Sequence, residues 1–139
     1  MTLIKELTTH IAALTGLTIG QDLWATFIQI YAPDRAAVVM SMGGTSSMPI
    51  LRGNIGEYPF QIVSRDRDPN DAHELALSIN TVLKDLPGAD LTEWFIHTCR
   101  GVTEPQELGY DQKQRFEWAA SYIVRAHLKA EAPWMTPGT

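Results

Sequence analysis

Apolar and polar residues alternate most cleanly near the C-terminal end of the chain, in "RFEWAASYIVRAHL" at residues 115–128. Phe116, Trp118, Ala120, Tyr122, Val124, Ala126 and Leu128 fall on one side, with Arg115, Glu117, Ser121, Arg125 and His127 on the other. A period of two predicts a strand with one buried face. Phe116, Ala119, Ala120, Ile123 and Ala126 also satisfy a helical period, so the pattern alone leaves a helix open.

Elsewhere the period is less ambiguous. Leu3, Ile4, Leu7, Ile11 and Leu14 share one helical face, with Thr2 as N-cap and Gly16 as a left-handed stop. "LWATFIQIYA" (23–32) is rich in aromatic and β-branched residues and predicts a strand. "APDR" (32–35) is a turn signal, and "AAVVMSM" (36–42) predicts a second strand, antiparallel to the first across a short connection. "YPFQIVSRD" (58–66) predicts a third, with Pro59 confined to its start or to an edge because it lacks an amide donor. "DPNDAHELALSINTVLKDLPG" (68–88) carries a full set of helix signals. Asp68 caps, Pro69 opens, and Ala72, Leu75, Ala76, Ile79, Val82, Leu83 and Leu86 form a stripe that ends at Pro87-Gly88. "TEWFIHTCRG" (92–101) predicts a fourth strand and the C-terminal alternation a fifth.

This order predicts an α+β fold, α-β-β-β-α-β-β. Its sheet is largely antiparallel (mixed) and five-stranded, with both helices packed on one face. One domain occupies residues 1–128, and a Pro- and Gly-containing tail at 129–139 is expected to be flexible. Residues 43–57, "GGTSSMPILRGNIGE", hold four glycines and no clear period, the character of a functional or mobile loop.

Composition narrows the class. With 45% hydrophobic and 19% charged residues among 139, the chain has the make-up of one globular domain. No apolar run approaches the roughly 18 residues of a membrane span, and Glu6, Thr8, Thr9 and His10 interrupt the N-terminal stretch where a signal peptide would be continuous. Cys99 is the single cysteine, which excludes an internal disulfide and fits a reducing, cytoplasmic setting. The net charge is −5 and Lys and Arg are dispersed, so the footprint of direct nucleic-acid recognition is missing.

Candidate chemistry is sparse. His10, His73, His97 and His127 lie in separate elements without metal-ligand spacing, so no metal or cofactor is expected. His97 and Cys99, at i and i+2 on a predicted strand, share a face and form the one pair that suggests a nucleophile and base. The plainer reading is a small core residue beside a half-buried neighbour. "GGTSS" (43–47) lacks the lysine and following helix of a phosphate loop, and Asp66, Asp68 and Asp71 read as helix-capping carboxylates. Nothing here is a strong catalytic signal.

Two stretches carry a resemblance. "YPFQIVSRDRDPNDAHELALSINTVLKDLPG" (58–88) is similar to the central segment of bacteriophage tail-terminator and minor-capsid (tail completion) proteins, where a strand ending in Arg precedes an acidic, Ala-rich helix. "TEPQELGYDQKQRFEWAASYIVRAHL" (103–128) resembles that family's closing segment, and the first helix followed by "GQDLWATFI" fits its layout. The resemblance covers most of residues 1–128 and matches least in the 43–57 loop. It implies a non-enzymatic homo-oligomer, a ring that is usually a hexamer. Such a ring ends the tail tube of a long-tailed phage at its head-proximal end and meets a neck or connector protein. DNA would slide through the lumen without specific binding, no membrane is involved, and assembly takes place in the host cytoplasm. An acidic subunit without basic clusters suits that passage. Within this reading Met48, Pro49, Ile50, Leu51 and Arg52 of the loop are candidate subunit or partner contacts, together with Trp134 of the tail. Arg65 and Arg67 are candidates for intersubunit salt bridges, against the plainer reading of local pairs with Asp66, Asp68 or Asp71. Two alternatives remain open: another neck component with a related fold, and a small ligand-binding or enzymatic domain using the His97/Cys99 face.

Overall fold

The computed structural model describes residues 2–26, 33–42 and 55–129. Helix α1 (Leu3–Thr15) starts where the Thr2 hydroxyl accepts from the Lys5 amide and stops at Gly16, whose φ of 79° only glycine adopts without strain. Three strands follow, β1 (Leu23–Ala25), β2 (Ala36–Ser41) and β3 (Gly56–Asp66), then helix α2 (Pro69–Lys84) and strands β4 (Trp94–Gly101), β5 (Gln106–Tyr110) and β6 (Phe116–Leu128). Asp68 caps α2 through bonds from the Asn70 and Asp71 amides, and Pro69 opens it.

The fold is α+β, with six strands among the described residues where the sequence suggests five. The sheet runs β1-β2-β3-β6-β4, and β5 lies beside β6 on the same flank as β4. The C-terminal alternation is a strand. It pairs with β3 along the whole run from Gly56↔Ala126 to Asp66↔Phe116. Its other side takes β4 against residues 122–128 and β5 against residues 116–119. β4, β5 and β6 therefore form one long hairpin that turns at residues 111–115.

β1 and β2 correct the expected antiparallel pair, for they run parallel, with Leu23 beside Ala37 and Ala25 beside Val39. The ladder ends at Ala25 because Thr26, at φ 80°, turns the chain out of it. A three-residue strand advances only about 10 Å, so the chain up to Ala36 is long enough to return and lie in the same direction. Residues 27–32 of the predicted first strand lie outside the described residues, as do 43–54 of the loop and 130–139 of the tail. Pro59 is the fourth residue of β3, neither its start nor on an edge strand; it pairs with Ile123 of β6 and lies one place beyond the Ser41↔Phe60 rung, where its carbonyl accepts from Met42 N. Its missing N–H thus removes only the terminal bond of that ladder.

Both helices cover one face of the sheet, α1 over β1 and β2, α2 over β3 and β6. Leu7, Ile11, Leu75, Ile79 and Leu83 descend from the helices onto Phe60, Ile62, Ala120, Tyr122 and Val124. Phe60 and Tyr122 stack with centroids 5.4 Å apart. Each such large side chain contributes about 1.5–3 kcal/mol on leaving water.

Within the apolar stripe of α1 sits one carboxylate, Glu6, only 3% exposed. Its two oxygens accept the Glu93 amide at 2.9 and 3.2 Å, so α1 is tied to the residue just before β4. Glu6→Ala should remove this bond to a charged acceptor and cost about 1–3 kcal/mol. A denaturant midpoint equal to the wild type's would show that the tie contributes nothing.

Candidate functional site

At one end of the sheet, charged residues from distant segments lock together. Arg65 is buried at the end of β3, where its Nε donates to the Asp34 carbonyl at 3.1 Å and its NH2 to the Pro33 carbonyl at 2.7 Å. Arg67 pairs with the Asp34 carboxylate, Arg35 reaches Asp66 at 3.3 Å, and Arg115 stands 3.8 Å from Asp34. Burial holds the Arg65 pKa below its usual value, with the Arg115 cation adding to the effect. Arg65 thus fixes the turn before β2 through backbone carbonyls, while the Arg67 side chain is 67% exposed. Of the residues singled out beforehand, these two alone are brought together here. Met48, Pro49, Ile50, Leu51, Arg52 and Trp134 lie outside the described residues.

Beside this network the hairpin turns. Asp111 Oδ1 accepts the amides of Lys113 and Arg115 at 2.9 and 3.0 Å, and Oδ2 accepts the Arg115 guanidinium at 2.8 Å. Burial pushes the Asp111 carboxyl up. The bonds from Arg115 and Lys113 outweigh it and hold the group at about 2. The turn presents Tyr110, 68% exposed, against Phe116 in an edge-to-face pair at 5.7 Å. Such a fixed aromatic tip suits contact with another protein, since little ordering remains to be done on binding.

His97 and Cys99 do not share a face. The register of β4 against β6 slips between Ile96 and Thr98, so one extra residue breaks the alternation. Cys99 then faces the helices, opposite Val124, while His97 points to the other face and meets His127, Nε2 to Nδ1, at 2.6 Å. Burial lowers the pKa of both imidazoles, and the neighbouring His97 and Lys129 lower His127 further. The Cys99 thiol is pushed up to about 11 by burial, the reverse of what a nucleophile needs. Asp66 and Asp68 are engaged as ion-pair partner and helix cap. Among the described residues no three metal-ligating side chains gather, and no helix is long and apolar enough to cross a membrane.

Cys99 instead lines a cleft of about 240 Å³ between α2 and β4. Asn80, Leu83, Lys84, Glu104 and Tyr122 are among its lining residues. The Tyr122 hydroxyl donates to Asn80 Oδ1 at 2.6 Å, and Asn80 is 7% exposed. No sequence motif announces this cleft, because its parts come from α2, β4, the loop after it and β6. The one hint is Asn80, a polar residue beside Ile79 and Leu83 on the helical stripe.

These features define a structural domain whose polar clusters hold loops and turns in place. Residues 10–127 match the bacteriophage tail terminator proteins, and the chain belongs to that family. Among solved structures, a chain of the virion of a native gene transfer agent particle superposes with a TM-score of 0.60 at 13% identity. The match covers 89% of this chain and 93% of that one, and it shows a shared fold. No curated protein matches. The chain is accordingly a structural component of tail assembly, located in the virion tail.

Two measurements check the local chemistry. Asp111→Asn should cost about 1–2 kcal/mol near neutral pH. A depressed carboxyl contributes stability above its unfolded pKa of roughly 3.9 that fades as pH falls. The gap between the two proteins should therefore close from about pH 4 toward 2, and a gap independent of pH would refute the assignment. Alkylation of Cys99 should accelerate about tenfold per pH unit throughout pH 8–10, whereas a plateau near pH 9 would show an ordinary thiol.

Proposed function

We propose that this protein closes into a head-to-tail ring, a hexamer, which caps the head-proximal end of the tail tube and offers a joining surface to a neck protein. The observation that carries the reading is the family match over residues 10–127. Two physical features support it. The sheet has unlike edges, a three-residue β1 at one side and the β4–β5 flank at the other, as a repeating heterologous contact requires. Large apolar side chains also stand exposed on both flanks, Leu14 and Ile19 near β1, Val102, Leu108 and Tyr110 along β4–β5. In this reading Met48 to Arg52 and Trp134 contact neighbouring subunits or partners. Arg67 contributes from its exposed position, and Arg65 holds the surface beneath it. A net charge of −5 lets DNA pass through the opening without being held.

The test is absolute mass by light scattering over a concentration series, with negative-stain imaging, alone and after addition of purified tail tubes. Annular particles of six subunits, or tubes closed at one end by them, are expected. A chain that stays monomeric and leaves the tube ends bare would overturn the proposal.

A further inference from the structure

The edges of the sheet leave little room for a neighbouring strand. On the β4–β5 flank Gly88 to Leu91 cover the first residues, with Gly88 N on the Ile96 carbonyl, Ile96 N on the Ala89 carbonyl and Leu91 N on the Trp94 carbonyl. A bulge follows at His97, and a second register slip stands between Glu107 and Gly109. Such interruptions are how edges resist pairing with another strand. The opposite edge, β1, is only three residues long. Among the described elements, the broad surface that no helix covers is the sheet face away from α1 and α2.

On that face alternation places Glu57 of β3 and Ile123 and Arg125 of β6 beside Thr98 and Arg100 of β4, and together they line a hollow of about 330 Å³. Arg125 and Glu57 neutralise each other, with the Arg125 NH2 2.8 Å from Glu57 Oε1. Arg100 is exposed and has no ion pair among the described residues. The hollow therefore carries one uncompensated positive charge next to the half-buried Ile123. Exposed acids with neither an ion pair nor a capping bond stand at two places among the described residues: Asp71, Glu74 and Asp85 on α2, and Glu104 and Glu107 around the start of β5. The second group shares the flank of Arg100, so pairing with it would favour a two-fold dimer. α2 belongs to the other layer, and a contact with its outer side joins unlike surfaces, which can repeat around a ring. On that outer side Leu77, 42% exposed, neighbours Glu74 at the i+3 position. An acid and an apolar side chain on the helix thus answer a cation and an apolar side chain on the sheet.

We propose that the helix-free sheet face of each subunit receives the outer side of α2 from an adjoining copy, with Glu74 on Arg100 and Leu77 in the hollow against Ile123. The inference rests on the ring reading and names the contact that repeats around it. An exposed ion pair adds little affinity by itself. Its part is to set the register, because like charges at the same place would oppose the contact. Since the giving and receiving surfaces are opposite layers of one chain, copies join head to tail and neither surface is left over when the ring closes.

The test exchanges the charges. Arg100→Glu and Glu74→Arg should each raise the concentration needed for assembly about tenfold or more, because like charges then meet. The double variant restores opposite signs and should assemble as wild type does. Both positions are exposed and make no ion pair among the described residues, so monomers of all three variants should melt at the wild-type temperature. A covalent readout accompanies it. Assembled protein carrying both Leu77→Cys and Ile123→Cys, treated with a mild thiol oxidant, should give a ladder of disulfide-linked multimers. Within one subunit the two positions lie on opposite layers and cannot join, and either substitution alone should give no ladder. Rings that Arg100→Glu forms as readily as wild type, and that yield no ladder from the double-cysteine protein, would overturn the contact and leave the ring standing. So would a double charge exchange that fails to recover the assembly lost in both single variants. A chain that never associates, alone or on tubes, would overturn both.

Discussion

The pairing of β3 with β6 is the constraint from which the rest of the domain is built. Eleven consecutive residue pairs, Gly56↔Ala126 to Asp66↔Phe116, set the register of both central strands. Phe60 and Tyr122 are brought opposite each other by it, and they form the floor on which α2 rests. A slip of one residue would turn Phe60, Ile62, Tyr122 and Val124 away from the helices at once, so the register is enforced by the whole buried face. β2 and β1 extend the sheet on one side of this pair, and the hairpin partners β4 and β5 on the other.

The elements that could be read from the chain are those in which burial and period agree. α1 and α2 have continuous stripes and recognisable caps, and β3 and β6 alternate over long runs. β5 was illegible for the opposite reason. Gln106, Glu107, Leu108 and Tyr110 are all exposed and Gly109 sits at φ 95°, so no alternation marks the strand, and its pairing is dictated by the hairpin turn. The parallel β1 is a three-residue contact fixed by tertiary packing, below what any local pattern can signal.

The site shows the same division. His97 and Cys99 would share a face under perfect alternation, and a single bulge sends them to opposite faces. Arg65 and Arg67 were visible as charges. That Arg65 would spend its donors on the Pro33 and Asp34 carbonyls depends on contacts more than thirty residues away in sequence. Glu6 and Asn80 stood out only as polar residues in apolar stripes, which is a signal that something must accept or donate there, without saying what.

The contacts that define the domain have a kinetic side. The central ladder joins residues 56–66 to 116–126, and the Glu6 carboxylate reaches Glu93 across 87 positions. Topologies dominated by such distant pairs fold slowly, because much of the chain must be ordered before the contacts repay it. Until residue 128 has been synthesised, β3 carries an apolar face and an unpaired central edge with no β6 to cover it. The nascent chain is then most vulnerable to joining a second copy in the wrong way, strand to strand. The bulges and the overlying 88–91 segment guard the finished edge, but they protect only a molecule that has already folded.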